Sequence, residues 1–445
     1  MVMADRGVDY LAGAASRIAA YSADCTQCGA CFEACPMPSA AGLGEADAPD
    51  AVRGLLSLLD DGQTTEDSRA WTKACCGSGY CNQACPEGID VRFLQRMGKI
   101  ALLQQEGDAK TIKRRSVETY NAMASSVRAI SGLLVETEDL GRLQNVTPGD
   151  EAAVEPAEVV FYTGCNVWKT PHIVLTALDT LEAVNVSARV IGGPSMCCGV
   201  YGFNQGDGKV SGRQAFGTIE KLAEAKTEQA LSWCPSCQIQ IGDLALGNWA
   251  ESKGAQPFDM APFYSFIADR IETLRPHLRQ IPARRVALIE RPAIPGAMAA
   301  VKTILGAIPG VELVELDVRP AGVMENTLAV LKSFRDSQRA ALLSGAEAAG
   351  VDVLATVYHA CHRELCAYDG GRPFEILNVM SLVAESLGNQ REDRYKILKA
   401  LGSVDAVIDA VAPDAEARGL DIGAIRSALA ADMFAAVPLA TPPSN

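Results

Sequence analysis

The chain carries 15 cysteines in 445 residues, and they are not scattered. Eight lie between Cys25 and Cys85, five more are Cys165, Cys197, Cys198, Cys234 and Cys237, and the last two are Cys361 and Cys366. The stretches 86–164, 238–360 and 367–445 contain none. Thiols grouped in this way either pair with one another or hold metal. Disulfide frameworks belong to small secreted domains that lack a core, whereas a chain this long, 48% hydrophobic, builds two or three cores and needs no staples. A basic start followed by an apolar run is absent from the N-terminus, and no window reaches the roughly 18 apolar residues of a membrane helix. The expectation is a cytoplasmic chain, held near a membrane only through partners. In that setting clustered thiols read as metal ligands. A net charge of −14 and a pI near 4.9 exclude the basic footprint of a nucleic-acid binder.

The intervening sequence divides the chain. Residues 7–22, 49–60 and 91–106 have the spacing of amphipathic helices, the second ended by Asp61-Gly62. The acidic, proline-bearing stretch 136–157 has no period and reads as a linker, within a boundary region set at 121–157. From Glu158 onward strands expected at 158–163, 187–191, 229–233, 285–290, 311–317 and 351–357 alternate with helices at 171–183, 210–227, 296–306 and 326–346. Such alternation implies parallel α/β layers, with cysteines at the strand ends where open sheets place their sites. The same rhythm in 158–237 and 285–366 suggests a repeat of about 125 residues. Residues 375–435 read as helical and 438–445 as a frayed tail. The expected fold is therefore α+β and multidomain, with divisions at 1–120, 121–157, 158–280, 281–390 and 391–445.

In the first group, Cys25-x2-Cys28-x2-Cys31-x3-Cys35-Pro36 is the bacterial ferredoxin run, in which three thiolates wrap one face of a cubane and the fourth turns to a neighbouring cluster. A zinc knuckle would split its ligands into distant pairs. The partner run is imperfect. Back from Cys85-Pro86 come Cys81, Ser78 where a cysteine belongs, and Cys75, with Cys76 as an extra thiol. If ligands swap as in two-cluster ferredoxins, one 4Fe-4S cluster takes Cys25, Cys28, Cys31 and Cys85, and the other takes Cys35, Cys75 and Cys81. Its fourth ligand is Cys76, the favoured choice, or Ser78 through oxygen, unless the site holds three irons. The long helical spacer between Cys35 and Cys75 resembles the α-helical ferredoxin module.

The second group delivers five thiols from three strand ends: Cys165, the pair Cys197-Cys198-Gly199, and Cys234-Pro-Ser-Cys237. Five exceeds what one zinc ion or one cubane requires. This spacing resembles the CCG domain of the B-type and D-type heterodisulfide reductase polypeptides, of the glycolate oxidase iron–sulfur subunit and of related lactate-utilisation proteins. A ferredoxin module ahead of two such repeats resembles the D-type heterodisulfide reductase, which is like the C-type and B-type polypeptides fused, over about residues 20–390. The resemblance implies a noncubane 4Fe-4S cluster on Cys165, Cys197, Cys198, Cys234 and Cys237. It also implies disulfide/thiol or sulfur-carrier redox chemistry at that cluster, within a complex of flavoprotein or other redox subunits. The alternative it carries is an electron conduit for a flavin-dependent 2-hydroxyacid or amine dehydrogenase.

The second repeat departs from the pattern. Pro292-Ala293 stands for the leading cysteine, Pro320-Ala321-Gly322 for Cys-Cys-Gly, and Tyr358-His-Ala-Cys361 for Cys-x2-Cys. This half is expected to lack a cluster and to serve as a lid or pocket wall. His359, Cys361, His362 and Cys366 read first as residues lining a strand end, with zinc binding as the alternative and His362 as a candidate proton source beside the five-cysteine centre. The run Lys110, Lys113, Arg114 and Arg115 reads as a solvated helix face, while Trp168 and Trp233 read as packing beside the cysteines. No G-x-G-x-x-G follows a strand, so no flavin is expected in this chain.

Overall fold

The computed structural model describes residues 5–143 and 157–435. The cysteine-bearing N-terminal part is helical. Helices Ala48–Asp60, Glu66–Ala74 and Val91–Glu106 begin where Asp47, Thr65 and Asp90 accept from Asp50 N, Ser68 N and Phe93 N, satisfying donors that a helix start leaves open. They bury Leu55, Trp71, Phe93 and Leu94 against one another.

Two parallel sheets follow. The first comprises β1 (Val159–Gly164), β2 (Ala188–Gly192), β3 (Gln229–Ser232) and β4 (Asp259–Pro262), ordered β2-β1-β3-β4. The second comprises β5 (Arg284–Ile289), β6 (Val311–Val314), β7 (Val353–Thr356) and β8 (Glu375–Asn378), ordered β6-β5-β7-β8. The two orders are the same and β5 starts about 125 residues after β1, so the repeat read from the sequence is a repeat of topology. Central β1 is buried along its whole length, as a parallel strand covered by helices must be.

Four expectations need correction. Edge strands β4 and β8 had no strand signal, and β8 opens a stretch read as entirely helical. Residues 121–134 are not linker: they complete a 26-residue helix, Ala109–Leu134, whose Met123, Val127, Ile130 and Leu133 are buried. Of the rest of the expected linker, Leu140–Leu143 form a short helix, and 144–156, like the tail 438–445, lie outside the described residues. Nor is 1–120 a separate unit. Helix Arg6–Asp24 packs on the first α/β repeat, with Gly13 so close to Asn248 that a Cβ there would lie 2.1 Å from its carbonyl oxygen.

The C-terminal helices Arg394–Ala400, Val404–Ala417 and Ile422–Ala428 fold back on Ala109–Leu134, joining Ile130 and Leu133 to Val407, Val411 and Leu429. Arg418 closes that helix's open C-terminal carbonyls, donating to Leu133 O at 3.1 Å, Gly132 O at 2.6 Å and Val135 O at 2.9 Å. One continuous apolar core runs through the helical module and both repeats.

Candidate metal centres and the cavity between them

The eight N-terminal cysteines sort by their surroundings. Cys31, its thiol pushed up to about 12 by burial, is further raised by Cys25, Cys85 and Cys28. Cys35, also pushed up to about 12 by burial, is further raised by Cys75 and Cys76. Cys81 is driven up by burial and then by Cys75 and Cys35. Buried thiols that raise one another's pKa in this way are a donor set suited to a cation that replaces their protons.

Two short helices carry the quasi-twofold relation. Ala30–Glu33 starts from Gly29 at φ +85° and Tyr80–Ala84 from Gly79 at φ +82°, a left-handed turn that glycine adopts at little cost. Gly79 thus matches Gly29, and Ser78 occupies the place of Cys28. Ser78 is already engaged: its Oγ accepts from Gly322 N at 2.8 Å and lies 3.1 Å from Cys76 Sγ.

The five later cysteines are all buried. Cys165 follows β1, Cys197 and Cys198 follow β2, and Cys234 and Cys237 follow β3, so adjacent parallel strands deliver them to one sheet edge. Hydrogen bonds from Cys197 and Cys237 hold the Cys198 thiol well below the usual range. Burial pushes Cys165 up to about 12, with Cys198 and Cys234 adding to it. The backbone leaves room for this crowding. A Cβ on Gly164 would lie 3.0 Å from Cys237 Sγ, and Gly199, at φ +87°, would place one 2.4 Å from Ser211 O.

The second repeat fills the equivalent position with charge. Arg291 pairs with Glu325 and donates to Ala321 O at 2.9 Å, and Arg339 Nη2 lies 2.9 Å from Glu325 Oε1. Glu325 N donates to Cys361 Sγ at 3.3 Å. Gly322 keeps the left-handed φ of Gly199, at +76°. The loops freed of thiols grip the N-terminal module instead. Besides Gly322 on Ser78, Pro320 O accepts from Tyr80 OH at 2.9 Å, and Arg319 Nη2 donates to Ala34 O at 2.8 Å. Arg92 completes the joint, donating to Ala293 O and, at 2.7 Å, to Asp243 Oδ2 of the first repeat.

Where the three parts meet lies a cavity of about 420 Å³. Cys75 and Cys76 line one side, Cys165, Cys198, Cys234 and Cys237 another, and Val323, Met324, Asn326, Thr327, Ala329 and Val330 with His359 and Arg363 close it from the second repeat. Its charged lining is Arg96, Lys99 and Arg363, with no carboxylate among the described residues. Arg96 is held by Gln240 at 2.6 Å and lies over the Phe203 ring. Asn166 Nδ2 reaches both Cys165 Sγ, at 3.3 Å, and Tyr201 OH, at 2.7 Å. Arg96, Lys99, Asn166, Tyr201 and Arg363 were not singled out from the sequence, since they sit on helices whose spacing marks them only as polar positions.

His362, expected beside the five-cysteine centre, does not line this cavity. Its ring is fully buried, Nε2 lying 2.6 Å from Asp393 and Nδ1 3.2 Å from Thr356 Oγ1, while His359 takes the cavity position. The expected constellation with Cys361 and Cys366 therefore disperses: Cys361 faces Glu325, and Cys366 packs among Leu398 and the C-terminal helices. Lys110, Lys113, Arg114 and Arg115 are exposed, with Arg114 paired to Glu118 at 3.2 Å. Trp168 donates to Thr163 Oγ1 at 3.0 Å, and Trp233 packs on Phe263 and Tyr264.

A family model described as a 4Fe-4S dicluster domain matches residues 24–90, the span of all eight N-terminal cysteines. One described as a cysteine-rich CCG domain matches residues 159–242, the span of the five later ones. The search of curated proteins returns no significant match. The chain is thus an iron–sulfur protein, a ferredoxin-type domain followed by a CCG α/β region, of the redox or electron-transfer kind. No helix among the described residues is long and apolar enough to cross a membrane.

Proposed function

We propose that the chain is the iron–sulfur redox subunit of a heterodisulfide-reductase-like complex, acting on a disulfide, thiol or protein-bound sulfur substrate. Cys25, Cys28, Cys31 and Cys85 would hold one 4Fe-4S cluster, and Cys35, Cys75, Cys76 and Cys81 the other. Cys165, Cys197, Cys198, Cys234 and Cys237 would hold a noncubane cluster. When bound, these clusters supply one-electron transfer along the chain and sulfur redox chemistry at its end.

One observation carries this reading. A single cavity of about 420 Å³ borders both the second ferredoxin run and the five-cysteine centre. The clusters themselves would fill part of that space, and the polar wall of Arg96, Lys99, Asn166, His359 and Arg363 around the remainder suits an anionic ligand better than a buried relay. The residues around it bind and orient. Arg96, Lys99 and Arg363 attract an anionic substrate group, Asn166 fixes Cys165 and Tyr201, and Val323, Met324, Ala329 and Val330 exclude water. Burial keeps His359 neutral, and its Nδ1 has no partner among the described residues, so the ring is available to hydrogen-bond an occupant.

Iron and sulfide analysis with electron paramagnetic resonance on oxidised protein tests the proposal. Added thiol should change the spectrum of the five-cysteine centre, and Cys197→Ser should abolish that change and lower the iron content. A spectrum indifferent to thiols, together with reduction by a flavin-dependent 2-hydroxyacid or amine dehydrogenase, would establish the conduit reading in its place.

A further inference from the structure

Two of the chain's four histidines meet in the interior without any role in the centres above. His172 lies in helix Pro171–Ala183 of the first repeat, His362 in helix His359–Leu365 of the second, and Asp393 caps helix Arg394–Ala400. The imidazole rings are 5.6 Å apart edge to face, and one ligand atom from each of the three residues lies within 4.8 Å of the others. Both histidines are buried, and both ring nitrogens of His172 lack a hydrogen-bond partner among the described residues.

Thr356 Oγ1 lies 3.2 Å from His362 Nδ1 and is itself within reach of Leu377 O at 3.1 Å and Asn378 Nδ2 at 3.3 Å, which anchors the imidazole on that side. On the other side Nε2 and Asp393 Oδ2, 2.6 Å apart, share one proton, which a cation would displace on binding. The second carboxylate oxygen lies 3.6 Å from His172 Nδ1, a nitrogen with no hydrogen-bond partner among the described residues, and brings in the third donor.

We infer that His172, His362 and Asp393 form a binding site for one first-row divalent cation of the zinc class, which clasps the two repeats together. Two imidazoles and a carboxylate are the ligand set such ions take, and the Thr356 bond on the far nitrogen of His362 is the usual outer support. Neighbouring cations are committed elsewhere: Arg391 to Asp179 and Lys396 to Asp369. Asp393 also lines an open groove of about 380 Å³, with Glu375, Glu385 and Glu392, which gives an ion a route in and a place for a water ligand. His362 lies three residues after His359 and next to Arg363 on one helix, so the clasp fixes the helix that walls the cavity.

Metal analysis of anaerobically purified full-length protein is the test. One equivalent of zinc per chain is expected, and X-ray absorption at the zinc edge should give nitrogen and oxygen at about 2.0–2.1 Å with no sulfur at about 2.3 Å. This separates the site from zinc misplaced on cysteines. His172→Gln and Asp393→Asn should each retain at least about tenfold less zinc, with iron and sulfide unchanged. A zinc-free protein after equilibration with equimolar zinc, sulfur in the first shell, or full zinc retention in both variants would overturn the site. In the first case His362 and Asp393 are joined by a hydrogen bond alone. Because the wild-type spectrum alone decides the ligand type, a variant that fails to fold does not rescue the inference. Iron content and thiol response report separately on the sulfur chemistry.

Discussion

Ser78 shows how one residue can be displaced from one task by another. It stands at the position of Cys28 in the quasi-twofold ferredoxin run, yet its hydroxyl is taken by Gly322 N and by the Cys76 thiol. Cys76→Ser is therefore expected to remove about one cluster's share of iron, whereas Ser78→Ala should keep the iron. Ser78→Ala should instead destabilise the protein by about 1–3 kcal/mol, the cost of leaving a buried amide unpaired, as read by denaturant unfolding. At the opposite wall, Arg291 and Glu325 are each only 1% exposed. Arg291→Ala leaves Glu325 with Arg339 as its one remaining cation, so it should cost about 3 kcal/mol, the low end for a broken buried pair, with iron content unchanged. Asp432 carries a pH dependence. Burial opposes its ionisation, but Arg363 and Lys169 hold its carboxyl well below the usual range. An acid with a depressed folded pKa contributes stability above its unfolded value near 4 that disappears as pH falls below it. Asp432→Asn should flatten the decline in stability between about pH 4 and 2, measured on chain whose clusters have been removed beforehand.

Among the elements, glycine spacing decides how helices and strands approach. Gly13→Leu would drive a side chain into Asn248 and lift helix Arg6–Asp24 off the first repeat, lowering the melting temperature by several degrees, about 2 kcal/mol or more, with the eight N-terminal cysteines untouched. Much of this level was legible in advance. Helices 91–106 and 171–183 fall where their apolar periods put them, and six strands fall within a few residues of their β-branched runs. The misses share a cause. Asp-Met-Ala-Pro at β4 and Glu-Ile-Leu-Asn at β8 are four-residue edge strands, formed because β3 and β7 offer parallel partners and not because of local preference. Helix Ala109–Leu134 runs past the expected boundary because the C-terminal helices cover its far end, a contact no local window contains. The two cysteine groups and the domains they mark could be read from spacing. The cavity and the pairing of His172 with His362 could not, since both depend on residues hundreds of positions apart settling on the same sheet edges.

For the molecule as a whole, the parts are stitched together rather than strung in series. The first helix packs on the first repeat, the ferredoxin run is gripped by the second, and the last helices return to the one that joins them. Arg92 ties all three parts at a single guanidinium, so Arg92→Ala should raise amide hydrogen exchange on both sides of the joint, in 75–85 and in 290–295, without altering iron content. The ion pair that occupies the place of a cluster in the second repeat has a consequence for biogenesis. Under the proposed function the first repeat depends on a cluster to hold its five thiols together, whereas the second closes its strand ends with Arg291, Glu325 and Arg339 alone. In a cell short of iron the later-synthesised half would keep these contacts while the thiols of the earlier half stood without their metal. The loops of the later half would wait as a preformed mould against which the loaded ferredoxin run closes.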